Sequence, residues 1–236
     1  MTDDTDRGGL VTPRDDDLTS SARLEAFSDG VFAIAVTLLV LDLTVPMRRG
    51  AAPGRLAGEL ARQWPSYFAY LVSFLIIGII WVNHHTVFAK VRFVDRQVLF
   101  ANLALLFVVS VIPFPTSLLA EYLTAGNASH IAAAIYSAAM LAMGVAYATL
   151  WLTITRDRRL LHTHIDFATS RAALRRFGLG TIFYVATVGL AFVSATVTLA
   201  VHGALAIYYC FDQLPTTVIP PGSDGVPSPR QTDSSP

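Results

Sequence analysis

From residue 177 to residue 211 the chain runs for 35 residues without an Asp, Glu, Lys or Arg. Three other stretches, 64–89, 97–120 and 122–155, are equally bare of charge. A surface helix of a soluble domain carries a charged or polar face, and none of these stretches has the residues to make one. Crossing the hydrocarbon core takes roughly 20 apolar residues. A backbone in lipid must also satisfy its own hydrogen bonds, which leaves helices or a closed barrel. The lengths are those of helices. Charged residues make up 14% of the 236, against about 25% in an ordinary soluble domain. The chain reads as an all-α membrane protein.

Helix boundaries follow from length and breakers. Stretches 64–89 and 97–120 each fit one helix, the second bent near its end by Pro113 and Pro115, which cannot donate to the ladder. Gly126-Asn127 interrupts the next, leaving a helix from about Ser129. The 35-residue run is too long for one helix at about 1.5 Å per residue and is divided near 194–196. With a first helix through 31–41, six transmembrane helices are expected. Residues 1–18 and the Pro/Ser-rich 214–236 read as disordered tails flanking a six-helix membrane domain at 19–213. The acidic N-terminus lacks a basic and apolar leader, so no signal peptide is expected.

Basic residues orient the helices. The N-terminal tail, the 90–96 and 156–176 connections and the C-terminal tail carry thirteen Lys and Arg. The connections on the other side carry four: Arg48, Arg49, Arg55 and Arg62. Both termini are therefore expected in the cytoplasm.

The first helix is unusual. Its apolar stretch 31–41 is too short to span alone, so it must continue back through Phe27-Ser28-Asp29. On an α-helix Ile34, Leu38 and Leu41 fall within about 60° of one another, while Asp29 lies about 140° from Ile34. An acid near membrane depth is costly unless paired, and Arg23, His84, His85 and Asn102 are the candidate partners.

The stretch "RLEAFSDGVFAIAVTLLVL" (23–41), with Arg23 four residues before Phe27-Ser28-Asp29, resembles the signature of the transmembrane-protein-175 family of potassium channels. "WVNHHTVF" (81–88) and "NLALLFVVSVIPFPTSLLAEY" (102–122) fit the same family in order. The resemblance implies a homotetramer of six-helix subunits around one central pore, with the first helices as its lining and no re-entrant filter loop. It implies Ile34, Leu38 and Leu41 as pore wall and constriction. Arg23, Phe27, Ser28 and Asp29, with Trp81 and His84, become the packed network that anchors the pore helix, and Asn102 is placed with them. Some members have Thr where this chain has Leu41, so moderate potassium over sodium selectivity is expected.

Other readings are weaker. His84 and His85 are adjacent, so on a helix they point about 100° apart and cannot chelate together as an i, i+4 pair can. "HTHID" (162–166) reads as a solvated loop. Ala138, Ala142 and Ala146 at four-residue spacing suggest close helix packing. No cofactor or metal is implied, potassium entering only as permeant ion. A net charge of zero and one cysteine give no reason to expect nucleic acid or a disulfide framework. Neither HExxH nor GxSxG occurs, so no enzyme is expected. The expected protein is a multi-pass channel of the plasma membrane, its partners lipid, monovalent cations and copies of itself. The alternative is a proton-coupled secondary transporter using Asp29 and His84. No internal repeat supports it.

Overall fold

The computed structural model describes residues 19–44, 55–161, 180 and 182–212. The two tails and "HTHID" lie outside the described residues. Among the described residues eight α-helices follow in order: α1 Ser21–Leu38, α2 Arg55–Arg62, α3 Trp64–Phe88, α4 Arg96–Val111, α5 Pro113–Tyr122, α6 Asn127–Arg156, α7 Ile182–Ala191 and α8 Ala195–Asp212. Four continuous spans among the described residues are long and apolar enough to cross a membrane: Ser21–Leu41, Trp64–Phe88, Arg96–Tyr122 and Asn127–Arg156. The 35-residue run is broken at Phe192-Val193-Ser194 into two shorter apolar helices, close to the division its length requires.

Local chemistry sets the ends. Asp95 caps α4, its Oδ1 accepting from the Val98 N–H at 2.8 Å. Pro65 sits in the first turn of α3, where a missing N–H costs nothing. At the α4–α5 junction Pro113 offers no N–H to Val109, and the Ile112 N–H takes that carbonyl instead at 3.2 Å, so the helix tightens and bends. Gly126 precedes α6 with φ +62°, a conformation open to glycine.

A two-residue antiparallel ladder joins β1 (Thr19–Ser20) to β2 (Phe93–Val94), and Val91 bridges Leu161. Ser21 Oγ donates to the Val91 carbonyl at 2.8 Å, and the Arg92 N–H to the Leu160 carbonyl at 2.7 Å. The start of α1, the end of α3, the start of α4 and the end of α6 therefore share one face of the bundle. At the opposite end His130, in the first turn of α6, donates Nδ1–H to the carbonyl of Ala191 at 2.7 Å. The turn between α7 and α8 thus lies beside the start of α6.

α4 and α5 pack on α6, α3 on α5 and α8, and α1 on α3 and α4. Tyr136, Met140, Leu105, Ile77 and Leu119 fill the centre. A buried hydroxyl cluster ties three helices there: Ser73 Oγ lies 2.8 Å from Thr116 Oγ1 and 3.0 Å from the Tyr136 hydroxyl. The expectation for α6 needs correction. Ala138 and Ala142 are exposed and Ala146 half-buried. The helix instead buries the side carrying Tyr136, Met140, Met143, Tyr147 and Trp151, because helices in lipid associate through packing contacts and hydrogen bonds, and these large side chains supply more contact than alanine does. The eight-residue α2, which the sequence reading treated as a plain connection, is also new.

One close approach is checkable. A Cβ added at Gly203 on α8 would meet Val72 Cγ2 at 3.2 Å and Phe68 Cζ at 3.3 Å on α3. Gly203→Leu is expected to overpack this contact and destabilise the protein by about 1–3 kcal/mol. A thermal melt in detergent matching wild type would show that α3 and α8 can move apart at no cost.

Candidate functional site

α1 has two unlike sides. Leu24, Ser28, Phe32, Ala35 and Leu39 recur at spacings of three and four and are buried against α3 and α4. On the other side Ile34 is 61% exposed, Leu38 41% and Leu41 71%. The α-helix ends at Leu38, and Leu39–Asp42 is a 3₁₀ turn. That corrects the simple helical projection. At three residues per turn Leu41 eclipses Leu38 rather than sitting about 60° to its side.

The anchoring residues fall into two separate chains. The first is buried and directional. Ser28 Oγ donates to the Leu24 carbonyl at 2.8 Å, so its lone pairs are free to accept the Asn102 Nδ2–H at 2.9 Å. Asn102 Oδ1 accepts from His84 Nε2 at 2.8 Å. All three side chains are fully buried. The imidazole lies against Phe88 with ring centroids 4.3 Å apart, and Phe32 closes its other side at 5.4 Å. The remaining nitrogen, His84 Nδ1, has no hydrogen-bond partner among the described residues.

The second chain lies nearer the surface. Trp81 donates its indole N–H to Asp29 Oδ1 at 2.8 Å. His85, one turn further along α3, places Nδ1 2.8 Å from Glu25 Oε1. The adjacent histidines thus point apart, one into the buried chain and one outward, as their position on a helix requires.

Two side chains that the resemblance places in the anchoring network lie outward on the single chain. Arg23 is exposed, and among the described residues no ion pair joins it to Asp29. Phe27 is 54% exposed. Both lie eleven and seven residues before Ile34, within about 20° of it on the wheel. On the single chain they lie in line with the exposed stripe. Glu25 and His85 were missed as a pair. Each sits four residues from a member of the Asp29–Trp81 pair, and that shared spacing was the available signal. No group of His, Cys, Asp and Glu suited to a metal ion occurs among the described residues.

These features define a class: a helical membrane bundle whose first helix is held to its neighbours by polar side chains while an aliphatic stripe on its far side stays exposed among the described residues. Residues 23–113 match the family model described as the endosomal/lysosomal potassium channel TMEM175. The chain is 56% identical over 198 residues to the potassium channel B446_29190 of Streptomyces collinus, covering 84% of this chain and 95% of that one. It is 39% identical over 191 residues to the potassium channel Cha6605_3372 of Chamaesiphon minutus, covering 81% and 94%. The fold matches the crystal structure of a lysosomal potassium-selective channel TMEM175 homologue from Chamaesiphon minutus, with a TM-score of 0.72, 38% identity, and coverage of 81% of this chain and 97% of that one. The chain belongs to the TMEM175 family.

Proposed function

We propose that the protein is a potassium-permeable cation channel, a homotetramer in which the four copies of α1 line a central pore and Ile34, Leu38 and Leu41 form its constriction. One observation carries this reading: the stripe stays 41–71% exposed on a helix whose opposite face is fixed by buried hydrogen bonds. A lone aliphatic stripe makes no pore, so several copies must meet around an axis. Rings of Leu and Ile conduct when wet and close when dewetted. Such a passage discriminates between cations through the cost of stripping their water, which favours potassium over the more tightly hydrated sodium only moderately.

In this arrangement α7 and α8 are the fifth and sixth spans, both termini are cytoplasmic, and the channel sits in the plasma membrane with lipid around it. Two observations support the topology. The strand-tied face carries Lys90, Arg92, Arg96 and Arg156. The α7–α8 turn lies at the other end of the bundle. The names of the bacterial relatives favour the channel over a proton-coupled transporter.

The test is the reversal potential of purified protein in planar bilayers, potassium on one side and sodium on the other. Unitary currents reversing on the potassium-selective side are expected. Electroneutral, proton-coupled uptake in vesicles without unitary currents would overturn the reading.

A further inference from the structure

At the end of the bundle away from the strand-tied face, α3 and α8 leave an open groove of about 500 Å³ between them. Trp64, Tyr67, Phe68 and Leu71 line it from α3, and Thr196 and Ala200 from α8. On α3 the four fall within about 100° of one another, on the side away from the buried Ala69, Ser73 and Ile76. The groove follows α3 for about 10 Å. Its walls are almost wholly carbon, and the Tyr67 hydroxyl is turned back to Gln63 Oε1 at 3.3 Å. Its volume lies within the roughly 300–1,000 Å³ of small-molecule sites.

α2 leads into this groove. Gln63 alone separates α2 from α3, its N–H donating to the Leu60 carbonyl at 3.1 Å and its carbonyl accepting the Ser66 N–H at 3.0 Å. α2 is amphipathic. Leu56 and Leu60 lie one turn apart and stay 58% and 39% exposed, while Arg62 falls about 160° from Leu60. That is the pattern of a helix lying in the headgroup zone, and Trp and Tyr are the residues enriched at that depth. The connection from α1 to α3 (43–63) carries Arg48, Arg49, Arg55 and Arg62 against one acid, Glu59. The 112–128 and 192–195 connections at the same end carry no Lys or Arg. The basic charge is thus gathered in the one segment that leads to the groove.

We propose that the groove and Arg62 form a binding site for an anionic glycerophospholipid, one acyl chain lying between α3 and α8 and the phosphodiester at Arg62. The chemistry of the walls selects this occupant. A lining with almost no hydrogen-bonding groups offers nothing to a polar ligand, whereas an acyl chain of the surrounding bilayer matches it. The charge selects the headgroup. Arg62 is exposed, no ion pair occupies it among the described residues, and a guanidinium fork suits two phosphate oxygens at once. The site needs only a bundle embedded in lipid, so it stands independently of the pore reading.

The experiment is native mass spectrometry of the full-length protein, released from micelles that hold equal amounts of phosphatidylglycerol and phosphatidylcholine with identical acyl chains. Wild type is expected to retain phosphatidylglycerol over phosphatidylcholine about five-fold, the preference that one arginine beside an anionic headgroup supplies. Arg62→Gln keeps a polar side chain but removes the charge, and should return the ratio to near one. Ala200→Phe fills the groove from α8 and should lower the retention of both lipids several-fold. Both residues are exposed, so neither substitution disturbs the packing of the subunit. Equal retention of the two lipids by wild type, or a preference that survives Arg62→Gln, overturns the proposal at the headgroup. Undiminished lipid in Ala200→Phe overturns it at the groove. If that variant instead changes oligomeric state with its lipid untouched, a second copy of the chain covers the groove and the proposal is wrong.

Discussion

Asn102→Leu is expected to lower the stability of the protein by about 2–3 kcal/mol, with a matching loss of correctly assembled material, because it strands a buried imidazole. Leucine matches the shape of asparagine closely but offers no acceptor. His84 Nε2–H then has nowhere to donate, and Nδ1 is already without a partner. Both nitrogens would face Phe32, Phe88 and the new leucine in a site with no solvent contact. Ser28 suffers less, since its hydroxyl still donates to the Leu24 carbonyl. An orphaned polar group costs more than a hydrogen bond contributes, whereas replacing both partners by apolar groups of similar shape can be nearly neutral. His84→Leu added to Asn102→Leu should therefore recover most of the lost stability. The measurement is a thermal melt in detergent of the two single variants and the double variant, read as a mutant cycle. If the double variant is as unstable as the sum of the singles, the His84–Asn102 bond does not hold α3 to α4, and the burial of His84 needs another explanation.

The same chain shows what a sequence can and cannot disclose. Lipid imposes a length, so the bare stretches of the sequence became α3, α4–α5 and α6 nearly to the residue. Pro113 and Gly126 marked real breaks because each removes something the helix needs, a donor or a negative φ. The break at 192–194 was required by length alone, with no proline to locate it. The partner of Asp29 was a different kind of question. The sequence alone offered Arg23, the histidines and Asn102, and only the resemblance put Trp81 nearby; the residue that reaches the carboxylate is Trp81, a neutral donor. Which helix faces meet is settled by packing across the bundle, and nothing within α1 encodes it. The 3₁₀ ending at Leu39–Asp42 was equally hidden, since no glycine or proline stands there. The family resemblance grouped the residues around Ser28 and Asp29 as one network. The fold separates a buried chain from a surface pair, and it leaves Arg23 and Phe27 in line with Ile34.

That separation makes neighbouring residues behave oppositely. Leu38→Ala removes an isopropyl group from a side chain that is 41% exposed, while Leu39→Ala removes the same group from one that is fully buried. Leu39→Ala should cost about 2–5 kcal/mol through lost transfer energy and the cavity it leaves. It should show first as poor assembly. Leu38 is only partly covered within the subunit, so Leu38→Ala should cost much less than Leu39→Ala. Its effect should fall on conduction. In the proposed pore, shortening every copy of Leu38 would widen the constriction and make it easier to keep wet, so ions would pass with more of their own water. Sodium gains most, because its hydration shell is the harder to strip. A drop of about 1 kcal/mol in its barrier raises sodium permeation about five-fold, and the reversal potential under potassium–sodium gradients should move towards zero. The pair is read together, melt and reversal potential for each variant. Unaltered conductance and ion preference in Leu38→Ala, beside a destabilised Leu39→Ala, would place Leu38 outside the narrow part of the pore and shift the constriction to Ile34 or Leu41.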